Sequence, residues 1–390
     1  MFDKADRILT LVRGALHKYA PGIAVACGIS IPCFYLAGWI TIDTVNMLGR
    51  YLALALVALS LDLVWGYTGM LCLCQSFFFA LGGYAMGMYL AHHGGPEGII
   101  DHAGWKIPAC LYVVYPYAVG EVPGDALTPW FWKPFYFLPA TIALGLFIPA
   151  FVASVIGFFV FRSRVRGVFF AVLTQAVTLA AWLVFCMNDM KLCGTNGLTR
   201  FDRLAGFPLN DEKTRLGLYV ITLAALVLVY WLCWLIIKSR LGRVLVAIRD
   251  NETRLRFAGY KPYLFKMFVF SVSAMIAGLG GMLYAPQMGI FTPTNMEVRE
   301  SILVVVWVAV GGRGTLGGAV AGTLLVNLLY NYLTSRQEFM GLVWKPDYWP
   351  FVLGSLFIIV VLFCPDGIAT IWKRLTDVSK KSAPQSEGTR

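Results

Sequence analysis

The residues whose types and spacing could do chemistry are few. His92, His93 and His102 share one polar connection and could bind a metal, yet solvated loop histidines account for them equally, and no metal site is assigned. Cys72 and Cys74 lie two apart, not at a Cys-x-x-Cys spacing, and most of the nine cysteines sit in apolar runs where a thiol acts as a small hydrophobe, so no disulfide framework is expected. No Gly-x-x-x-x-Gly-Lys-Ser/Thr run occurs, and Gly311-Gly312-Arg313-Gly314-Thr315 has neither its spacing nor its lysine. Neither His-Glu-x-x-His nor Gly-x-Ser-x-Gly is present, so no catalytic residue is assigned. What remains is neutral polarity in apolar surroundings, at Thr68, Gln75, Ser76 and Gln287. Their amides and hydroxyls could line a path for a neutral polar solute, or equally bond helix to helix. A charged segment, with Arg249, Asp250, Glu252 and Arg254, could seat against another protein.

The elements that position these residues are set by composition. The 390 residues are 58% hydrophobic and only 14% charged, against about 25% charged in soluble chains. Such a chain is a membrane protein. Apolar stretches read at 21–42, 50–66, 70–91, 137–161, 167–188, 216–237, 264–287, 298–311, 316–334 and 349–364. Backbone groups in hydrocarbon must be bonded within the protein, so these are expected to be helices, and barrel-type alternation is absent. The expected fold is an all-α polytopic membrane protein with about ten, and at least eight, transmembrane helices; the 298–311 stretch is short for a full crossing. The run from Pro21 is too long for a signal-peptide core and is expected to remain as a span. Asp62 is read as the ionisable residue inside a span, close to its end.

Charge orients the chain. With residues 1–20, the 162–166 turn, the 238–266 loop, Arg313 and the C-terminus on one side, that side holds 21 of the 32 Lys and Arg. The longer connections opposite hold the remaining 11, which puts both termini in the cytoplasm. The net charge of +11 follows from this asymmetry and calls for no nucleic-acid partner.

Displacing the chain on itself by 212 residues sets Gly66, Gly69 and Gln75 on Gly278, Gly281 and Gln287, with eight of 25 positions identical. Five crossings separate the two segments, so they run oppositely through the membrane. An inverted repeat of two five-helix halves is expected, as in transport folds whose glycine-interrupted segments line the path. The halves are 21–237 and 263–367, between a 1–20 cytoplasmic N-terminal segment and a basic 368–390 cytoplasmic tail. The 238–262 loop separates them. Within it Asp250 or Asn251 can cap a short helix that Glu252 favours and that Gly259, followed by Pro262, stops after about two turns.

The loop, with Ala247-Ile248-Arg249-Asp250-Asn251-Glu252 and Gly259, resembles the coupling loop of ABC-importer permeases. Gly66-Tyr67-Thr68-Gly69, Phe79 to Tyr84, Gly194 to Thr199 and Trp307 to Gly318, including Gly311 and Gly312, are similar to the branched-chain amino acid ABC permease family. Cys364-Pro365-Asp366-Gly367 resembles its closing motif, and Phe78 to Leu90 with Val246 to Gly259 look most like a permease subunit of urea ABC transporters. The chain departs from the family at Leu71 to Ser76, where small residues and Gly-His are usual. The resemblance implies a passive half-gate in a bacterial inner membrane, importing urea or, alternatively, a branched-chain amino acid. It implies a second related permease, two cytoplasmic ABC ATPases that bind the ATP and Mg, and an extracytoplasmic substrate-binding protein. It also implies that Arg249, Asp250, Glu252, Arg254 and Gly259 couple to the ATPase. A stand-alone channel or secondary carrier, the reading from another class, has no need of such a loop.

Overall fold

A computed structural model describes residues 38–94 and 129–335 apart from 164 and 166, with short pieces at 30–32, 35, 111, 338–339, 342–343, 351–352, 354–355 and 358. The proposed spans at 21–42 and 349–364, the closing motif at 364–367 and both terminal segments lie largely or wholly outside the described residues. In chain order the α-helices are α1 (Ile42–Thr68), α2 (Gln75–His93), α3 (Leu138–Arg162), α4 (Val168–Cys186), α5 (Glu212–Lys238), α6 (Arg240–Phe257), α7 (Pro262–Met288), α8 (Val298–Gly311) and α9 (Leu316–Ser335). Among the described residues six helices, α1, α3, α4, α5, α7 and α9, are long and apolar enough to cross a membrane. Two short antiparallel ladders, Arg203–Leu204 with Phe207–Pro208 and Glu338–Phe339 with Leu342–Val343, lie in connections.

Helix α7 is the axis, packed along α1, α2 and α3. Small residues allow backbone contact there. A Cβ at Gly82 would overlap the Gly278 carbonyl, and one at Gly281 would overlap the Phe79 carbonyl. In α2 every residue except Leu81 and His93 is buried, so this helix meets protein on all sides. Outside it, α3, α4 and α5 expose Phe147, Phe159, Phe169, Leu183, Leu228 and Trp231, the apolar surface a helix presents to lipid.

Helices α1 and α7 are antiparallel: Gly49 lies beside Gln287, Ala53 beside Gly280 and Ser60 beside Ser273. Both are 27 residues long, and both close on a left-handed glycine, Gly69 at φ 77° and Gly289 at φ 80°. After Gly69 the chain runs non-helical to Gln75, where α2 begins, whereas after Gly289 a short 3-10 turn, Pro293–Met296, precedes the 14-residue α8 at Val298. The two helices begin and end 220 residues apart, not 212. In the 212 alignment Gly66 and Gly69 at a helix end are set against Gly278 and Gly281 inside a continuous helix, and Gln75 at a helix start against Gln287 near a helix end. Identities among glycine-rich apolar residues slipped about two helical turns from the register that the helix ends define.

Two further expectations change. The third stretch does not become helical at 70 but at Gln75, because Gly69 ends α1 and residues 70–74 run non-helical. Cys193 is disulfide-bonded, whereas Cys72, Cys74, Cys186 and Cys233 are free.

Candidate coupling and translocation site

Three elements meet on the last two turns of α1. A helix leaves its final carbonyls unbonded, and cations are favoured there. Arg249 of α6 donates Nη1 to the Gly66 carbonyl at 3.0 Å, and Arg313, in the turn between α8 and α9, donates Nε to the Trp65 carbonyl at 3.2 Å. The Arg313 guanidinium also lies 5.1 Å from the Trp65 ring centroid. Burial lowers its pKa from the ordinary value, and the neighbouring Arg249 charge acts in the same direction. Asp62, fully buried, accepts the Gly314 N–H at 2.7 Å on Oδ1, and the Tyr67 hydroxyl donates to the Gly314 carbonyl at 3.0 Å. Gly66 is required because a Cβ there would lie 2.7 Å from the Gly314 nitrogen. Gly311 packs on the Gly318 carbonyl, and Gly312 turns the chain at φ 114°.

The predicted coupling segment is one helix broken at Asn251, whose φ of −158° and ψ of 92° are not helical. Its Oδ1 accepts the Arg254 N–H at 3.1 Å, the N-cap expected of that residue. The second piece ends as anticipated: Gly259 has φ +84°, and the Tyr260 N–H reaches back to the Leu255 carbonyl at 3.3 Å. Glu252 does more than favour a helix start. Its oxygens hold Arg256 at 2.6 Å and Lys266 of α7 at 2.8 Å, with 11% of the side chain exposed. Asp250 and Arg254 are exposed, and Phe257 at the tip is 89% exposed. A cavity of about 190 Å³ lies beneath, lined by Thr68, Gly69, Phe170, Arg249, Glu252 and Lys266 among others.

From Gly69 the chain re-enters the helix bundle. The Leu73 N–H donates to Thr174 Oγ1 at 3.0 Å and its carbonyl accepts Thr178 Oγ1 at 3.1 Å, both from buried threonines of α4. Non-helical backbone at membrane depth needs such partners. Gln75, fully buried, donates to Ser273 Oγ at 2.8 Å and accepts Ser60 Oγ at 3.1 Å, joining α2 to α7 and α1. Ser60 precedes the end of α1 by eight residues, which at 1.5 Å per residue sets Gln75 about 12 Å inside. Ser76 meets Ser301 at the start of α8 and donates to the Glu297 carbonyl at 3.4 Å. Gln287 is distant from Gln75 along α7. Its Nε2 donates to Thr222 at 2.8 Å, and its buried Oε1 has no partner. Thr68 is bonded to the Val64 carbonyl within its own helix.

Sequence reading missed Arg50 and Glu300. Arg50 is the ninth residue of α1, and Glu300 lies in α8. Both were signalled by being ionisable inside an expected span or at its first residue.

Residues 44–361 match the permease component of branched-chain amino acid transport systems. The chain belongs to this permease family. It is 22% identical over 397 residues to the high-affinity branched-chain amino acid transport system permease protein LivM of Salmonella typhimurium, covering 94% of this chain and 80% of LivM. It is likewise 22% identical to LivM of Escherichia coli, over 93% of this chain and 77% of that one. A shorter stretch is 29% identical to the autoinducer 2 import system permease protein LsrC of Salmonella paratyphi B, covering 41% of this chain and 46% of LsrC. No solved structure matches. The family and the six apolar helices make the chain a multi-pass membrane permease, a transport component.

Proposed function

We propose that the chain is one of two permease subunits of an ATP-driven importer, taking a small polar solute from an extracytoplasmic binding protein. The observation that carries this is the mechanical joint between α6 and α1. Arg249 and Glu252 turn inward, to the Gly66 carbonyl and Lys266, while Asp250, Arg254 and Phe257 turn outward. An ATPase cleft gripping the outward face would pull, through the inward pair, on both 27-residue helices at once. The left-handed Gly69 then passes that motion to the 70–74 segment and to Gln75. Helices α1–α2 and α7–α8 are read as oppositely oriented copies, with the returns that follow Gly69 and Gly289 as the moving parts.

The charge asymmetry supports a cytoplasmic side for the joint, and the disulfide at Cys193, in the connection assigned to the other side, suits an oxidising compartment. The LivM relatives support a branched-chain amino acid ahead of urea, because they extend over nearly the whole chain. Reconstitution of this chain with its partner permease, ATPases and binding protein in liposomes tests the reading. ATP-dependent accumulation of leucine is expected; uptake that proceeds at the same rate without ATP would return the chain to the carrier class.

A further inference from the structure

Arg50 is hard to explain as structure. It lies 18 residues before the cytoplasmic end of α1, about 27 Å along the helix, in the outer part of a hydrocarbon core about 30 Å thick. Its Nε is buried with no hydrogen-bond partner, and among the described residues its Nη1 donates to the sulfur of Met288, at 3.2 Å. Among the described residues no carboxylate lies within ion-pair distance of it. The Tyr284 hydroxyl of α7 donates to the same Met288 sulfur at 3.7 Å, and Tyr284 is within electrostatic reach of Arg50 and Tyr51 of α1, Glu300 of α8 and Tyr330 of α9. Glu300 lies deeper, one residue from the Ser301 that meets Ser76 at the broken helices. Its partner is the adjacent Arg299, at 3.2 Å, whose own side chain is 67% exposed. Tyr330 of α9 is 42% exposed.

A guanidinium and a carboxylate at two depths of a partly open face do not suit lipid, where an ionisable group inside a span faces a polar cavity or a partner. The face of α3, α4 and α5 is the contrast: between the helix ends, where Arg162, Glu212, Lys213 and Lys238 are exposed, it presents large apolar side chains such as Phe147, Phe151, Leu228 and Trp231. We propose that Arg50, Tyr284, Glu300 and Tyr330 form one wall of the translocation path, and that its two opposite charges receive a zwitterionic solute, the carboxylate first at Arg50 and the ammonium deeper at Glu300. This rests on the importer reading above and assigns the residues and the polarity of the route. Urea, having no charge, gains nothing from either pole, whereas a zwitterion must replace the hydration of both its ends on entering.

Two measurements test it. In the liposome-reconstituted complex, Arg50→Gln and Glu300→Gln should each lower leucine uptake by about tenfold or more, the loss expected for a hydrogen bond to a charged group. The binding protein's leucine affinity should stay unchanged, and Arg50→Lys should retain most of the uptake. Separately, Tyr330→Cys and Tyr284→Cys should react with a water-soluble methanethiosulfonate above the wild-type background, while the lipid-facing Leu228→Cys should not. Full leucine uptake in Arg50→Gln overturns the proposal, as does urea uptake by the wild type that Arg50→Gln leaves intact. So does an unreactive Tyr330→Cys together with an unreactive Tyr284→Cys. A wild-type complex that couples ATP to no uptake sinks the importer reading instead, and the thiol reactivity still decides whether this face carries water.

Discussion

A buried side chain bonded at both ends behaves differently from one that lines a path. Gln75 uses its amide nitrogen on Ser273 and its oxygen on Ser60, so Gln75→Leu removes two bonds between helices, while Ser60 and Ser273 each keep a bond to a backbone carbonyl. Side-chain bonds between membrane helices average about 0.6 kcal/mol each. The expected outcome is a lower thermal stability of the detergent-solubilised subunit by about 1–2 kcal/mol, read from its unfolding midpoint beside wild type. Stability equal to wild type with reduced uptake would move the amide into the path. Gln287 differs, since its buried oxygen is unpartnered beside Gly49. Glu252 is the other residue whose role enlarges. Glu252→Gln weakens the tie to Lys266, and the expected effect is a loss of solute-stimulated ATP hydrolysis by the complex with membrane insertion normal.

At the scale of elements, the broken helix α6 depends on its ends. Gly259 holds φ +84° with nothing near its missing Cβ, so Gly259→Val fails through backbone strain and not through a clash. A left-handed conformation costs a side-chain-bearing residue about 1–2 kcal/mol, and more for a β-branched one. Gly259→Val should reduce uptake and leave ATP hydrolysis insensitive to loaded binding protein, whereas Gly259→Asn, which tolerates that conformation, should restore much of both. Equal behaviour of the two variants would show that the Schellman-type stop does not set the position of Phe257. Arg249→Ala should mimic the valine variant by a separate route, cutting the bond to Gly66 while leaving α6 folded.

For the whole molecule, the arrangement demands that the α6 tip and the Cys193 connection face opposite compartments. A cysteine placed at Asn251 should react with a membrane-impermeant thiol reagent only in inside-out vesicles, and labelling of intact cells from outside would overturn the orientation and the coupling assignment together. The chain has no phosphate-cradling loop, so the purified subunit alone is expected to show no ATP binding by equilibrium dialysis.

Local chemistry determined much of this in advance. Apolar runs long enough to span hydrocarbon marked α1, α3, α4, α5, α7 and α9, and the stop at Gly259 and cap at Asn251 were legible because caps depend on neighbours in sequence. The positions of the glycines were also evident, but not their register. Glycine identities are shared between helices whatever the alignment, and only the paired left-handed ends at Gly69 and Gly289 define the 220-residue offset. Tertiary packing alone decided that residues 70–74 would stay unwound, because the bonds that stabilise them come from Thr174 and Thr178, about a hundred residues away. The same holds for Glu252, whose partner Lys266 belongs to the next helix, and for Arg50, Glu300 and Tyr330, which three separate helices bring within electrostatic reach of Tyr284. A sequence reveals groups that need partners; which partner each finds depends on how the helices pack.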